Sequence, residues 1–151
     1  MTSAKETVAS VLDRELKAVI EQWLTRVEKV PALMRIPLSH RDRTGHLPRL
    51  LKDLVLRLRL APDAERPDTE SAHDHGQVRF EQGYTVPMLV EESRLLQVSI
   101  FSTLHTHQKG LDPDEMMLGV ITIADECDAQ LKHTVETFME FEEKGAKKSV
   151  A

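Results

Sequence analysis

The stretch HDHGQVRFEQGY, residues 73–84, combines two histidines, two glycines, an arginine and the only tyrosine of the chain. If it is helical, His75 and Arg79 share one face and Gly76 lies on the adjacent one. A glycine inside a helix costs about 1 kcal/mol relative to alanine, so Gly76 indicates a close approach by neighbouring backbone. The pattern raises three possibilities: a metal or haem site, a catalytic His/Arg pair, or a structural corner between two helices.

The residues that follow favour the corner. Gly83 fits the left-handed position that ends a helix, and Tyr84 can pack back over the turn. Arg79 can then reach a carboxylate early in the next helix, where Glu91 and Glu92 are the natural partners. This interpretation accounts for the stretch without a ligand.

Length and composition predict one globular domain. The chain has 151 residues, 40% of them hydrophobic and 30% charged, with a net charge of −5. We expect a core over about residues 5–143 and a frayed tail at 144–151. The negative net charge argues against a nucleic-acid partner. The chain has no apolar run long enough for a membrane segment or a signal peptide, so we expect neither. The single cysteine, Cys127, favours a reducing, cytoplasmic setting.

Helical periodicity dominates the chain, which predicts an all-α bundle of about five helices. Ser39 resembles the cap of the second helix, with a kink or a fresh start after Gly45. Thr85 precedes the fourth helix, and Asp112 opens the fifth. The predicted ranges are about 5–29, 40–60, 68–82, 85–109 and 113–143.

The fifth predicted helix carries a three-four alternation that is typical of a coiled-coil seam. At ~1.5 Å per residue it would be roughly 45 Å long, more than a compact domain of this size needs. The spacing therefore favours pairing with a second copy, or a connection to a downstream element. The seam consists of Met117, Val120, Ala124, Cys127, Leu131, Thr134, Phe138 and Phe141.

The histidines give little support to a metal site. His73 and His75 are two residues apart and point to different sides of a helix, as do His105 and His107. Zinc sites need about four ligands, and di-iron bundles need Glu-x-x-His pairs on two helices. We therefore predict no metal, while a metal-binding bundle enzyme stays open as an alternative.

Haem and catalysis are the remaining alternatives. One axial histidine would suffice for haem, and His75, His105 or His107 could supply it, but few aromatic residues are present to line a pocket. No nucleophile elbow, P-loop or dinucleotide turn occurs, and Cys127 lies on the apolar seam. We therefore predict no enzyme activity and no cofactor, with a haem- or small-ligand-binding sensor as the alternative function.

The corner and the helix after it resemble the N-terminal domains of the RsbR/RsbRD type. Those domains show a similar "HG, two residues, R, three residues, G" corner followed by a helix with an acidic residue and an arginine. The matching residues here are His75, Gly76, Arg79, Gly83, Tyr84, Glu92 and Arg94.

The resemblance implies a globin-like bundle that generally lacks haem and acts as a sensor in the stress response. Such domains form homodimers. They pass a signal through a long C-terminal helix to the STAS domain of a stressosome, or to a histidine kinase. We therefore expect a dimeric signal-transduction input domain whose partners are a second copy and an output domain or regulatory protein.

Overall fold

The computed structural model describes residues 6–61, 63–66 and 70–149, except for the side chains of the last two. Within them the chain folds into eight α-helices and a short 3-10 helix, and the pairing of Glu6 with Leu111 is an isolated β-bridge. The prediction of an all-α bundle with a long C-terminal helix is confirmed. The helices are α1 (Val8–Arg14), α2 (Leu16–Val27), α3 (Pro31–Met34), α4 (His40–Thr44), α5 (Leu47–Arg59), α6 (Ser71–Glu81), α7 (Val86–Thr106) and α8 (Pro113–Ser149), with the 3-10 helix at Gln108–Gly110.

The capping signals place several of these boundaries. The Ser39 hydroxyl accepts a hydrogen bond of 3.1 Å from Asp42 N, and Asp112 Oδ2 accepts one of 3.2 Å from Glu115 N. Gly45 has a positive φ of 45° and separates α4 from α5, which confirms the fresh start. Residue 68, where the third helix was predicted to begin, lies outside the described residues.

The first predicted helix is divided at Glu15, whose ψ of 16° departs from helical values. Hydrogen bonds of 2.9 Å still join Glu15 N to Val11 O and Val19 N to Glu15 O. α1 packs mainly against α5 and also contacts α7 and α8, whereas α2 packs mainly against α7. A bend lets both segments bury their apolar faces, so tertiary packing decides a break that the local sequence does not indicate.

α8 is the longest element and packs mostly along α6. Its 37 residues correspond to about 55 Å. Residues 144–149, predicted to be frayed, are helical. None of the helices formed by the described residues is both long and apolar enough to cross a bilayer.

The predicted seam on α8 does not lie on one exposed face. Cys127, Thr134 and Phe138 are buried inside the domain, whereas Met117 is 61% exposed. The remaining seam residues are half-buried: Val120, Ala124, Leu131 and Phe141. The seam therefore crosses from the core to the surface along the helix, because its period is shorter than that of a straight α-helix. Its role in dimerisation stays a prediction.

Candidate functional site

Gly76 allows α6 and α8 to approach closely. A Cβ built on Gly76 would lie 2.6 Å from Thr134 O and 3.1 Å from the Thr137 Cβ, so no larger residue fits. The predicted close approach of backbone at Gly76 is confirmed. It holds the His75–Arg79 face of α6 against the interior of the bundle.

Arg79 is 1% exposed and forms a buried ion pair with Glu92 on α7, itself 4% exposed. Arg79 Nε donates to Glu92 Oε1 at 3.0 Å, and Nη2 donates to Oε2 at 3.2 Å. This bidentate geometry is the strong form of an arginine–carboxylate pair. Arg79 also donates to the carbonyl oxygens of Asp42, at 3.3 Å, and Arg43. One side chain thus ties α6 to both α7 and α4.

Gly83 and Tyr84 complete the corner between α6 and α7. Gly83 has the predicted positive φ, 86°. The Tyr84 ring lies 4.5 Å from Arg79 Cζ, and its hydroxyl donates to Glu92 Oε2 at 2.8 Å. Burial raises the pKa values of both Tyr84 and Glu92 above their ordinary ranges. The Arg79 guanidinium opposes part of the rise at Glu92 by stabilising the carboxylate.

An interior cavity of about 50 Å³ adjoins this network. It lies between α5, α6, α7 and α8, with Trp23 of α2 and Thr44 of α4 also lining it, and it is partly open to the surface. The Trp23 indole donates to Glu92 O at 3.0 Å. Most of the lining is apolar, and the polar side chains facing it are Thr44, His75, Arg79, Glu92, Ser93, Gln130 and Thr134.

His75 is the histidine of this lining and forms no ion pair. Neither ring nitrogen hydrogen-bonds to any residue that the structure describes. The His46 ring stands edge-on to it, with centroids 6.1 Å apart. Burial, with the nearby charges of Arg79 and His46, lowers the pKa of His75 to about 3. At neutral pH it therefore presents one N–H donor and one nitrogen acceptor.

Sequence comparison then identifies the family. The profile described as "RsbT co-antagonist protein rsbRD N-terminal domain" matches residues 17–148. The chain belongs to this family. No curated protein and no solved structure matched it in the same comparisons. The RsbRD N-terminal family is one of regulatory domains in stress signalling, which confirms the resemblance drawn from the corner residues.

The seven residues on which the resemblance was drawn lie in three places in the structure. Five of them form or flank the buried corner, and His75 faces the cavity. Arg94 instead lies on the surface, where its Nε donates to Glu91 Oε1 at 3.1 Å. Of the two predicted partners of Arg79, Glu92 is the one that pairs with it, and Glu91 pairs with Arg94 on the surface.

Arg43 and Gln130 are among the buried polar residues that sequence reasoning missed. Arg43 is 2% exposed and donates to Leu33 O at 3.2 Å and Ile36 O at 2.7 Å. Gln130, 8% exposed, donates to Leu50 O at 3.1 Å. Gln130 follows Cys127 by three residues on the buried side of α8, a spacing that could have revealed it.

The other candidate sites remain dispersed. Among the described residues, no three His, Cys, Asp or Glu side chains come together as metal ligands. His105 is exposed, and His107 lies 3.5 Å from Glu15. Cys127 is buried, and burial raises the pKa of its thiol to about 12, which suits a structural thiol.

Proposed function

We propose that this domain is a homodimeric input module that relays a signal through α8 to an output partner, either a STAS domain or a histidine kinase. Membership in a regulatory family of stress signalling supports the general role. The relay requires a rigid element that touches both the interior of the domain and a second molecule. α8 packs against the interior of the domain, and its exposed apolar side chains are available for the proposed second contact.

The observation that carries the proposal is the exposed apolar surface of α8. Met117, Leu118, Ile121 and Met139 are between 54% and 64% exposed. Ile121 and Met139 are separated by about five turns of ~3.6 residues, so both lie on one line along the helix. Exposed Asp128 and Lys132 lie near that line between them, so the apolar patch itself is formed by Met117, Leu118 and Ile121. A cluster of large exposed apolar side chains is typical of an interaction site.

The opposite face of the same helix packs against the polar corner. Gly76 lets α6 approach Thr134, and Thr134 Oγ1 donates to Ala72 O at 3.2 Å. A change in the Arg79–Glu92 network would therefore alter the surface on which α8 rests. Since close-packed helices move as rigid bodies, the proposed relay is a small shift or rotation of α8 at the dimer interface.

Sedimentation of Ile121→Glu tests the dimer. We expect a homodimer for the wild type and a monomer for the variant, because a carboxylate in a buried apolar contact carries a large desolvation cost. Leu56→Glu is the matched control, since Leu56 is a 47% exposed leucine on α5 rather than α8. A wild-type monomer, or a dimer that survives Ile121→Glu, would contradict the proposal.

The proposed function needs no bound cofactor. The interior cavity, about 50 Å³, is far smaller than the 300–1,000 Å³ of typical ligand pockets, so a haem would have to displace core side chains. We expect no Soret band from the purified protein after addition of haemin. A stoichiometric band that His75→Leu removes would show instead that haem is part of the function.

A further inference from the structure

We propose that the cavity between α5, α6, α7 and α8 binds a small uncharged organic molecule of about five heavy atoms with one or two hydrogen-bonding groups. This inference goes beyond the relay role, because it assigns this cavity as a binding site. It does not depend on dimerisation.

The size of the molecule follows from the cavity. A water needs about 10–15 Å³ of space for its centre, so 50 Å³ accommodates roughly three or four waters. At about 30 Å³ per water in the liquid, these correspond to about 100 Å³ of matter. A five-membered heterocycle or a four-carbon alcohol has this size, whereas a nucleotide or a porphyrin does not.

The polar side chains that line the cavity determine which hydrogen-bonding groups the molecule must carry. The His75 nitrogens and Gln130 Oε1 have no partner among the described residues. His75 can give one donor and one acceptor, and Gln130 Oε1 can accept. The Ser93 hydroxyl also faces the cavity. Because the His75 nitrogens and Gln130 Oε1 are not engaged by a described residue, a ligand with a donor and an acceptor can hydrogen-bond to them.

The charged residues of the lining exclude an ionic ligand. Arg79 and Glu92 are engaged with each other by hydrogen bonds of 3.0 and 3.2 Å, so neither charge is free to compensate an ion. The remaining lining is mainly apolar, with Trp23, Leu89 and Leu96 among its walls. Such an enclosure accepts a mainly apolar body and repels an uncompensated charge.

Pyrazole is a suitable probe because it is neutral at pH 7, has five heavy atoms and carries one N–H and one acceptor nitrogen. Trp23 is the only tryptophan of the chain and lines the cavity. Its indole N–H signal in a ¹H–¹⁵N spectrum is therefore a single local reporter. We expect a saturable shift of that signal with a Kd of about 1 mM, consistent with the ligand's size.

Three variants distinguish binding in the cavity from nonspecific binding of pyrazole. Ser93→Leu fills the cavity and should abolish the saturable shift, while Val98→Leu, on the exposed face of α7, should leave it unchanged. His75→Leu removes one hydrogen-bonding partner and should weaken binding about fivefold. Ser93→Val replaces Ser93→Leu if the larger side chain prevents folding, which circular dichroism will show.

Two results would overturn the proposal. One is a linear, non-saturating response of wild-type Trp23 up to about 20 mM pyrazole, well above the expected Kd, which would mean that the cavity holds only water. The other is equal binding by folded Ser93→Leu or Ser93→Val. Neither result depends on the oligomeric state, so failure here is distinct from failure of the dimeric relay.

Discussion

At the scale of single residues, the buried pair of Arg79 and Glu92 is the most consequential contact of the domain. Arg79→Met would leave the Glu92 carboxylate buried without its cation, at a cost of about 3–5 kcal/mol in the free energy of unfolding. The double variant Arg79→Met/Glu92→Leu should recover part of that loss, because both charges are then removed. Urea denaturation measures both values.

The matched control is Arg94→Met. Arg94 pairs with Glu91 on the surface, where solvent screens the interaction, so little change in stability is expected. Equal losses for Arg79→Met and Arg94→Met would contradict the assignment of Arg79 as the buried anchor of the corner.

Gly76 provides a second test at this scale. Gly76→Ala places a Cβ 2.6 Å from Thr134 O, so α6 and α8 must separate. We expect a loss of about 1–3 kcal/mol in the free energy of unfolding, typical of overpacking. In Gly145→Ala the new Cβ would lie 3.8 Å from the Phe80 Cζ, so this substitution should be neutral or slightly stabilising. A stable Gly76→Ala protein would mean that the helices have more room than the structure gives them.

His75 makes stability depend on pH. Its pKa falls from an ordinary 6.5 to about 3 in the folded protein, so between those values the unfolded chain binds the extra proton. Stability is therefore greatest above pH 6.5 and falls as the pH decreases, by up to about 1.4 kcal/mol per unit. Gln cannot titrate, so as the pH falls from 7.5 to 4.5 the wild type should lose about 2.6 kcal/mol of unfolding free energy that His75→Gln does not lose. If the unfolding free energies of wild type and His75→Gln, measured by urea denaturation, changed with pH in parallel, this role of His75 would be refuted.

At the scale of elements, the sequence predicts the helices whose ends carry chemical signals. Ser39, Gly45 and Asp112 mark boundaries because caps and left-handed glycines act within one turn, whereas Thr85 precedes α7 without a capping hydrogen bond from its side chain. The bend at Glu15 has no such signal, since it depends on where α5, α7 and α8 lie. The buried position of Arg43 was missed for the same reason: its partners are backbone carbonyls of α3 and the residue after its end.

The corner was more predictable than the cavity. A glycine, an arginine and a tyrosine at fixed spacing each indicate a local requirement, and the structure satisfies all three. The cavity is instead bounded by residues from at least four helices. No spacing along one segment could indicate that Ser93, His75 and Gln130 face the same space.

Gly83 tests the turn between α6 and α7. With a φ of 86° and Ile36 Cδ1 3.9 Å away as the nearest atom to an added Cβ, Gly83→Ala strains the backbone without a steric clash. The left-handed conformation costs a non-glycine residue about 1–2 kcal/mol, and we expect that loss on thermal or urea unfolding. Gly110→Ala is the control, because Gly110 has no positive φ. Equal effects of the two substitutions would argue against a required left-handed turn.

At the scale of the whole molecule, the proposed dimer would use a different face of α8 from the one that packs in the core. One face completes the core with Ile123, Cys127 and Phe138, and the other exposes Ile121 and Met139. A dimer formed through the exposed face binds only folded chains, so association must stabilise the fold by mass action. Stability and oligomeric state are then measurements of one equilibrium.

The thermal midpoint should therefore depend on protein concentration. A hundredfold increase in concentration contributes about 2.7 kcal/mol per dimer, which corresponds to a rise of about 4 °C for two chains of this length. Ile121→Glu should unfold at a midpoint that does not change with concentration, while Leu56→Glu should follow the wild type. Differential scanning calorimetry over this range measures the three midpoints. A wild-type midpoint that is constant over the same hundredfold range would mean that α8 serves the fold of a monomer, and that any relay acts through a different surface.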